Sequence, residues 1–154
     1  MLNPNQIDQR VGNYLAGFAD GEGSFMIVVR KRPDYKAEWK ISLCFNVSQK
    51  ESYILSQFKK HLQCGTLRER PDGVSYFEVN NFTAIWENVI PFFRKFSFLS
   101  QNKKYQFSKF LQAAEIIKSG RHLSQEGFDE IIAIRNKMNR GGKRINLKSS
   151  ETTC

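Results

Sequence analysis

The sequence predicts an α+β domain in which helices cover one face of an antiparallel sheet. Helical apolar spacing opens the chain, and two hairpin patterns with a helix between them come next, followed by more helices. Strands that come in hairpins favour antiparallel pairing. With 154 residues and 40% hydrophobic content, the chain is expected to form one domain over residues 1–140 and a basic, polar tail over 141–154.

The first helix is predicted over residues 7–19, where apolar side chains recur every three or four positions. A hairpin follows, with Pro33 and Asp34 in its turn. Its second strand, residues 39–48, alternates apolar and polar side chains, so one face is core and the other is polar. The other predicted elements are a helix capped by Ser48 that ends near Gly65, a hairpin that turns at Pro71–Gly73, a short helix over 83–93 that ends at Pro91, a long helix over 100–119 and a last helix from Leu123 to Gly141.

The charge of the chain favours a nucleic-acid partner. Lys and Arg outnumber Asp and Glu by 24 to 15, which gives a net charge of +9. No apolar run approaches the roughly 20 residues that cross a bilayer, and Met1–Arg10 is too polar for a secretory signal. We therefore expect a soluble, intracellular protein, in a bacterial or archaeal cytoplasm or in an organelle, that is neither secreted nor bound to a membrane.

The segment YLAGFADGEGSF, from Tyr14 to Phe25, places two acids between glycines where a helix meets a strand. It is not a calcium loop, because the sixth position counted from Asp20 is Phe25 and not glycine. It is not a dinucleotide fingerprint, because its glycines follow a helix and precede a strand. Turn chemistry alone remains an explanation, with Asp20 and Gly21 ending the helix and Glu22 solvated.

Residues 15–23, LAGFADGEG, resemble the LAGLIDADG motif of homing endonucleases, and Tyr14 and the Ser24-Phe25 pair around them also resemble that family. Weaker likeness extends over ISLCFNVSQK, GTLRER, and PFF followed by KKYQ. The resemblance implies the αββαββα core of that family, with an antiparallel DNA-binding sheet and extra C-terminal helices. No second copy of the motif is found, which places the chain in the single-motif, homodimeric group.

The resemblance also implies a metal site at the end of the motif helix. Glu22, which stands where Asp is more frequent, and the Gly21 carbonyl would bind Mg²⁺ or Mn²⁺, whereas Ca²⁺ is expected to bind without supporting cleavage. Gln49 would orient a water and Lys103 would neutralise charge, with Lys104 as a rival to Lys103. Tyr53 stands where some relatives carry a basic residue.

One carboxylate is too few for a metal cluster that cuts both strands of DNA, so a second chain is expected to supply another. The small residues Gly12, Ala16 and Gly17 form a face of the motif helix on which a second copy could pack closely. By resemblance, the motif helices form the two-fold interface and deliver both Glu22 side chains to the minor groove.

A two-stranded ribbon fits the major groove of DNA, so the polar strand faces are candidates for base or phosphate contact. Arginine and asparagine suit guanine and adenine, and small apolar side chains suit the thymine methyl group. The candidate DNA-binding residues are Met26, Val28, Arg30, Arg32, Lys40, Ser42, Cys44, Asn46, Arg68, Arg70, Tyr76 and Glu78.

These observations predict an intron-encoded, magnesium-dependent nuclease. It would act as a homodimer that makes a double-strand break in a long, nearly palindromic DNA site. Two alternatives use the same scaffold without cutting: a maturase that binds intron RNA, and a DNA-binding regulator. The intact Glu22 and Gln49 favour the enzyme over both.

Overall fold

The computed structural model describes residues 1–34 and 38–138, and the predicted tail over 141–154 lies outside this part of the chain. Two short 3₁₀ helices, at Pro4–Gln6 and Arg121–Leu123, accompany the main elements. In chain order the main elements are α1 (Gln9–Glu22), β1 (Gly23–Lys31), β2 (Trp39–Gln49), α2 (Ser52–Leu62), β3 (Thr66–Glu69), β4 (Ser75–Val79), α3 (Phe82–Ala84), a π-helical turn (Ile85–Val89), α4 (Ile90–Lys95), α5 (Gln101–Lys118) and α6 (Gln125–Met138). The predicted α+β class is confirmed.

The four strands form one sheet in the order β1-β2-β4-β3, and each neighbouring pair is antiparallel. The β1–β2 ladder runs from the Gly23–Val47 pair to the Lys31–Trp39 pair. Phe45 on β2 pairs with Val79 on β4. Because paired residues of an antiparallel ladder project to the same side, this register places the polar positions of all four strands on one face.

The opposite face of the sheet is apolar and packs against the helices. An aromatic cluster lies at its centre, where the Phe25 ring centroid is 5.0 Å from that of Phe45 and 4.9 Å from that of Phe110 on α5. Edge-to-face contacts from Phe93 and Phe98 surround the same ring. Aromatic pairs at these distances add about 0.5–1.5 kcal/mol each beyond area burial. The core therefore holds β1, β2, α4 and the middle of α5 in a fixed relation.

The first helix is shifted relative to the prediction: α1 begins at Gln9 rather than at residue 7, and it continues past Ala19 to Glu22. Gly21 does not end the helix, because the helical backbone continues through Glu22. The helix ends at Gly23, whose amide donates to the Ala19 carbonyl. A Cβ at Gly23 would lie 2.7 Å from the Ala19 oxygen, so only glycine fits where the helix turns into β1.

Two further predictions about element ends were wrong. Ser48 does not cap the second helix, because it lies inside β2 and pairs with Tyr76, and α2 instead begins after Glu51. Pro91 does not end the helix after β4. It occupies the first turn of α4, directly after the π-helical turn, and the helix continues to Lys95. In the described part of the chain, no helix is both long and apolar enough to cross a membrane.

Gly12 on α1 is a buried contact point, and its substitution is our first prediction. A Cβ at this position would lie 2.3 Å from Cζ of Phe96, so we expect Gly12→Ala to lower the free energy of unfolding by about 1–3 kcal/mol. Denaturant unfolding measures this value. In a Phe96→Leu background the smaller side chain gives room, so the cost of Gly12→Ala should fall. Equal costs in the two backgrounds would contradict the contact.

Candidate nucleic-acid interface and metal corner

The last turn of α1 carries the two acids of the motif on different sides of the helix. Asp20 and Glu22 are two residues apart, which corresponds to about 200° of rotation around a helix. Asp20 is half-buried and faces the rest of the protein, whereas Glu22 is exposed. The two carboxylates therefore have different surroundings although they are neighbours in sequence.

Asp20 binds the segment that begins α5. Its Oδ2 accepts hydrogen bonds from the backbone amides of Leu99, at 3.1 Å, and Ser100, at 3.0 Å. Its Oδ1 accepts a hydrogen bond from the Ser100 hydroxyl. Ser100 is the N-cap of α5, so the carboxylate sits where the positive end of the helix dipole favours a negative charge.

The side chain of Lys103, in the first turn of α5, contacts the end of α1. Its Nζ donates a hydrogen bond to the Gly23 carbonyl, and its backbone amide donates to the Ser100 hydroxyl oxygen at 3.1 Å. A cation at the C-terminus of a helix is favourable, and the last turn of α1 has no basic residue of its own. Lys104 is exposed.

The environment changes the pKa values of both charged groups. Burial by itself raises the pKa of Asp20, but the hydrogen bonds from Ser100 and Leu99 and the nearby Lys103 ammonium outweigh it and lower that pKa below its usual value. Burial lowers the pKa of Lys103, and the Asp20 carboxylate opposes this effect. The lowered pKa keeps the Asp20 carboxylate ionised in the folded protein near neutral pH.

The predicted metal ligands Glu22 and Gly21 lie at the exposed end of α1. The Glu22 carboxylate forms no hydrogen bond or ion pair with any residue that the structure describes. The carbonyls of the last helical turn have no partner further along the helix, so the Gly21 carbonyl oxygen can act as a cation ligand. Over residues 1–34 and 38–138 no group of three or more His, Cys, Asp or Glu side chains is arranged to hold a metal.

Gln49 is the last residue of β2, at the end of the sheet where α1 meets β1. The β1–β2 ladder pairs Gly23 with Val47, and Gln49 is two residues further along β2. The antiparallel register therefore brings Gln49 toward the last turn of α1. Its side-chain Oε1 accepts a hydrogen bond from the Lys50 amide at 2.8 Å, which leaves the amide nitrogen as a donor.

The prediction of the small-residue face of α1 was partly wrong. Gly12 contacts the Phe96 ring and Ala16 is buried in the chain's own core, so neither is open to a second copy. Gly17 is exposed, as is Gly21 one turn later, and a Cβ at either position would meet no atom within 4 Å. A helix turns about 100° per residue, so Gly17 and Gly21 share one face whereas Gly12 lies on the opposite side.

The polar sheet face carries the predicted DNA-binding residues, as the alternation indicated. Arg30 pairs with Lys40 across β1 and β2, and Arg68 pairs with Tyr76 across β3 and β4. Arg32 lies beyond the end of β1, where its guanidinium binds both carboxylate oxygens of Asp34 at 3.1 and 3.0 Å. The exposed members of the set are Arg30, Lys40, Arg68 and Arg70, and the half-buried members are Met26, Arg32, Ser42, Asn46 and Tyr76.

Three members of the set are not open on this face. The exposed fractions of Val28, Cys44 and Glu78 are 1%, 0% and 3%. Val28 and Cys44 therefore lie on the polar side of the sheet by alternation, but neither side chain is open to a ligand. The Glu78 carboxylate lies 3.8 Å from the Arg68 guanidinium and accepts a hydrogen bond from Asn80 at 3.4 Å. Glu78 therefore serves as a partner of Arg68 in this structure.

The candidate DNA-binding set left out several residues of the polar sheet face. Ser24, Ser48 and Thr66 lie on the polar face, because Ser24 pairs with Asn46, Ser48 with Tyr76, and Thr66 with Glu78. Their parity along the strands was a usable signal. The sequence pattern indicates only that Ser100 begins a helix. Its contact with Asp20, 80 residues away, could not be predicted from the local sequence.

Comparison with known proteins agrees with this geometry. Probable intron-encoded endonuclease 2 of Neurospora crassa is 27% identical over 133 residues, which cover 84% of this chain and 29% of that protein. The crystal structure of the homing endonuclease I-TnaI superposes with a TM-score of 0.81 and 26% identity, over 90% of this chain and 94% of that chain. The I-LtrWI LAGLIDADG homing endonuclease bound to target DNA superposes with a TM-score of 0.81 and 28% identity, over 89% of this chain and 46% of that chain.

An α+β unit with a motif helix that ends in an exposed acid beside a polar sheet is the architecture of a homing-endonuclease unit. The family model described as LAGLIDADG endonuclease matches residues 15–114, well over half of the chain. This chain belongs to the LAGLIDADG endonuclease family, as its motif predicted. It spans less than a third of the length of the Neurospora relative, of which it covers 29%.

Asp20→Asn is our second prediction. At pH 7 we expect the free energy of unfolding to fall by about 1–2 kcal/mol, because a charged acceptor at the start of α5 is lost. The folded-state pKa of Asp20 is lowered, so this stability is present at neutral pH and is lost as the pH falls below about 4. Denaturant unfolding from pH 7 to 3 should therefore show the free energies of unfolding of wild type and Asp20→Asn converging. The control Asp129→Asn changes an exposed acid of α6, and its free energy of unfolding should stay within about 0.5 kcal/mol of wild type. A gap between wild type and Asp20→Asn that is unchanged at pH 3 would contradict the charge-based explanation.

Proposed function

We propose that this chain is a site-specific, intron-encoded homing endonuclease that makes a double-strand break in a long, nearly palindromic DNA site. It acts as a homodimer with divalent metal at the interface, on DNA inside the cell or organelle that carries its gene. The observation that carries this proposal is the exposed Glu22 at the end of the motif helix, which has no partner among the described residues. It lies beside a sheet face with exposed Arg30, Lys40 and Arg68.

The donor groups at the end of α1 fit a hard divalent cation. A carboxylate oxygen from Glu22 and a carbonyl oxygen from Gly21 are the ligand types that Mg²⁺ and Mn²⁺ accept, with water completing the shell. A bound ion would stabilise charge on the attacking and leaving oxygens of the scissile phosphate. Ca²⁺ would bind the same oxygens, and we expect it not to support cleavage.

Gln49 and Lys103 supply the remaining chemistry in this proposal. The side-chain amide nitrogen of Gln49 can donate a hydrogen bond that orients a water or a phosphate oxygen. The Lys103 ammonium, half-buried and bound to the Gly23 carbonyl, can neutralise negative charge that develops on the phosphate. Its contact with the end of α1 supports Lys103, rather than the exposed Lys104, as the lysine of the site.

The polar sheet face would read the DNA. Exposed Arg30, Lys40, Arg68 and Arg70 suit guanine edges and phosphates, and half-buried Asn46 suits adenine. Val28, Cys44 and Glu78 are buried and would not contact DNA directly. The net charge of +9 per chain predicts binding that weakens steeply as salt rises.

A second copy would pack on the exposed face of α1. Gly17 and Gly21 allow a partner helix to approach closely, and Tyr14, on the same side, is 63% exposed. This chain covers 94% of I-TnaI but 46% of I-LtrWI, so the latter chain has room for two such units. A homodimer would bring together two Glu22 carboxylates where one chain offers a single one.

Glu22→Gln is our third prediction. On duplex DNA that spans the intron-free insertion locus, with Mg²⁺, we expect cleavage to fall more than about 100-fold because a metal-binding carboxylate is lost. DNA affinity, measured by fluorescence anisotropy in Ca²⁺, should stay within about threefold of wild type, since Glu22 reads no base. Glu115→Gln, the same change at an exposed position of α5, is the matched control and should cut normally.

The same assay decides between the enzyme and its alternatives. If wild-type protein binds the locus yet leaves it uncut in both Mg²⁺ and Mn²⁺, the nuclease proposal fails. Tighter binding to folded intron RNA than to the duplex would then identify a maturase. Preference for the duplex would identify a DNA-binding regulator.

Gly17→Leu is our fourth prediction. A leucine on the exposed face of α1 should weaken the dimer roughly 30-fold or more, equivalent to about 2 kcal/mol, because it separates the two helices. Sedimentation equilibrium at micromolar concentration measures the mass against 17.9 kDa for one chain. Gln112→Leu, which adds the same side chain to an exposed position of α5, should leave the dimer intact. A wild-type protein that is monomeric at these concentrations would exclude the homodimer.

A further inference from the structure

The end of α1 and the start of α5 are joined by a closed set of hydrogen bonds. Asp20 accepts from the Ser100 amide and from the Ser100 hydroxyl. The same hydroxyl oxygen accepts from the Lys103 amide at 3.1 Å, and Lys103 Nζ donates to the Gly23 carbonyl. One serine thus connects a motif carboxylate to the lysine that lies against the end of the motif helix.

The Ser100 hydroxyl acts both as a donor and as an acceptor. It donates its one proton to Asp20 and accepts the Lys103 amide with a lone pair. The accepted bond fixes the backbone of the residue whose side chain reaches Gly23. A threonine retains both bonds, whereas an alanine removes both and leaves only the backbone amides of Leu99 and Ser100 on the carboxylate.

The rest of α5 does not need this cap in order to fold. The helix has 18 residues, and Phe110, Ala113, Ala114 and Ile116 are buried in the core. Helix ends fray locally while packed centres stay formed. Loss of the Ser100 hydroxyl should therefore loosen the first turn, which contains Lys103, without unfolding the remainder.

We propose that Ser100, held by Asp20, is a positioning residue for Lys103 that keeps the lysine ammonium at the end of the motif helix during DNA cleavage. This inference rests on the proposed nuclease function and adds a residue to its machinery. Ser100 touches neither DNA nor metal in this proposal. It acts by holding the first turn of α5 in place, so it should affect the catalytic rate and leave DNA affinity unchanged.

A double-mutant cycle of Ser100 and Lys103 is our fifth prediction and tests this role. We expect Ser100→Ala to lower the single-turnover cleavage rate about tenfold, and Lys103→Ala to lower it about 100-fold. In the Lys103→Ala background, Ser100→Ala should cost less than about twofold, because there is no ammonium left to position. DNA affinity should stay within about twofold throughout.

Three further measurements separate positioning from stability. Ser100→Thr, which keeps the hydroxyl, should restore the rate to within about twofold of wild type. Ser108→Ala, which removes an exposed hydroxyl from the middle of α5, should have no effect on cleavage. Thermal unfolding of every variant checks that all remain folded at the assay temperature.

The inference is overturned if Ser100→Ala cuts at the wild-type rate, or if its effect is the same with and without Lys103. Either result leaves the nuclease proposal standing, because the wild-type protein still cuts. If the wild-type protein does not cut, the proposed function fails instead. Amide hydrogen exchange then tests the structural part: faster exchange at Lys103 in Ser100→Ala, but not in Ser108→Ala, supports the link, and unchanged exchange overturns it.

Discussion

The mutual contact between the end of α1 and the start of α5 is the interaction on which the functional region depends. α1 supplies Asp20 to the positive end of α5, and α5 supplies Lys103 to the negative end of α1. Each helix end thus receives the charge that its dipole favours, from residues 80 positions away in sequence. This contact fixes the position of the end of the motif helix, and therefore of Glu22.

This arrangement also explains why two acids lie at the end of a helix, where negative charge is unfavourable. Asp20 is compensated by hydrogen bonds and by the Lys103 ammonium. Glu22, by contrast, is exposed and has no partner among the described residues. A residue that violates a local preference without compensation is expected at functional sites. In our proposal the missing partner is a metal ion.

The sheet separates two roles by the alternation of its strands. One face packs the phenylalanine cluster around Phe25 and fixes the register, because a slip of one residue would turn that cluster toward water. The other face carries the arginines and lysines of the proposed DNA surface. Its buried positions, such as Cys44, show that alternation predicts which way a side chain points but not whether a neighbour covers it.

The sequence by itself determined the α+β class, the two hairpins, the polar strand face and the family, because each depends on local periodicity or on a contiguous motif. It did not determine where α1 ends, which small residues of α1 are open, or what Asp20 binds. Gly12 and Gly17 are equally small in sequence, but Gly12 packs on Phe96 and Gly17 is exposed. Asp20 and Glu22 are both carboxylates, yet only Asp20 meets Ser100. Tertiary structure decided these points, because each depends on a residue that is distant along the chain and is brought near only by packing.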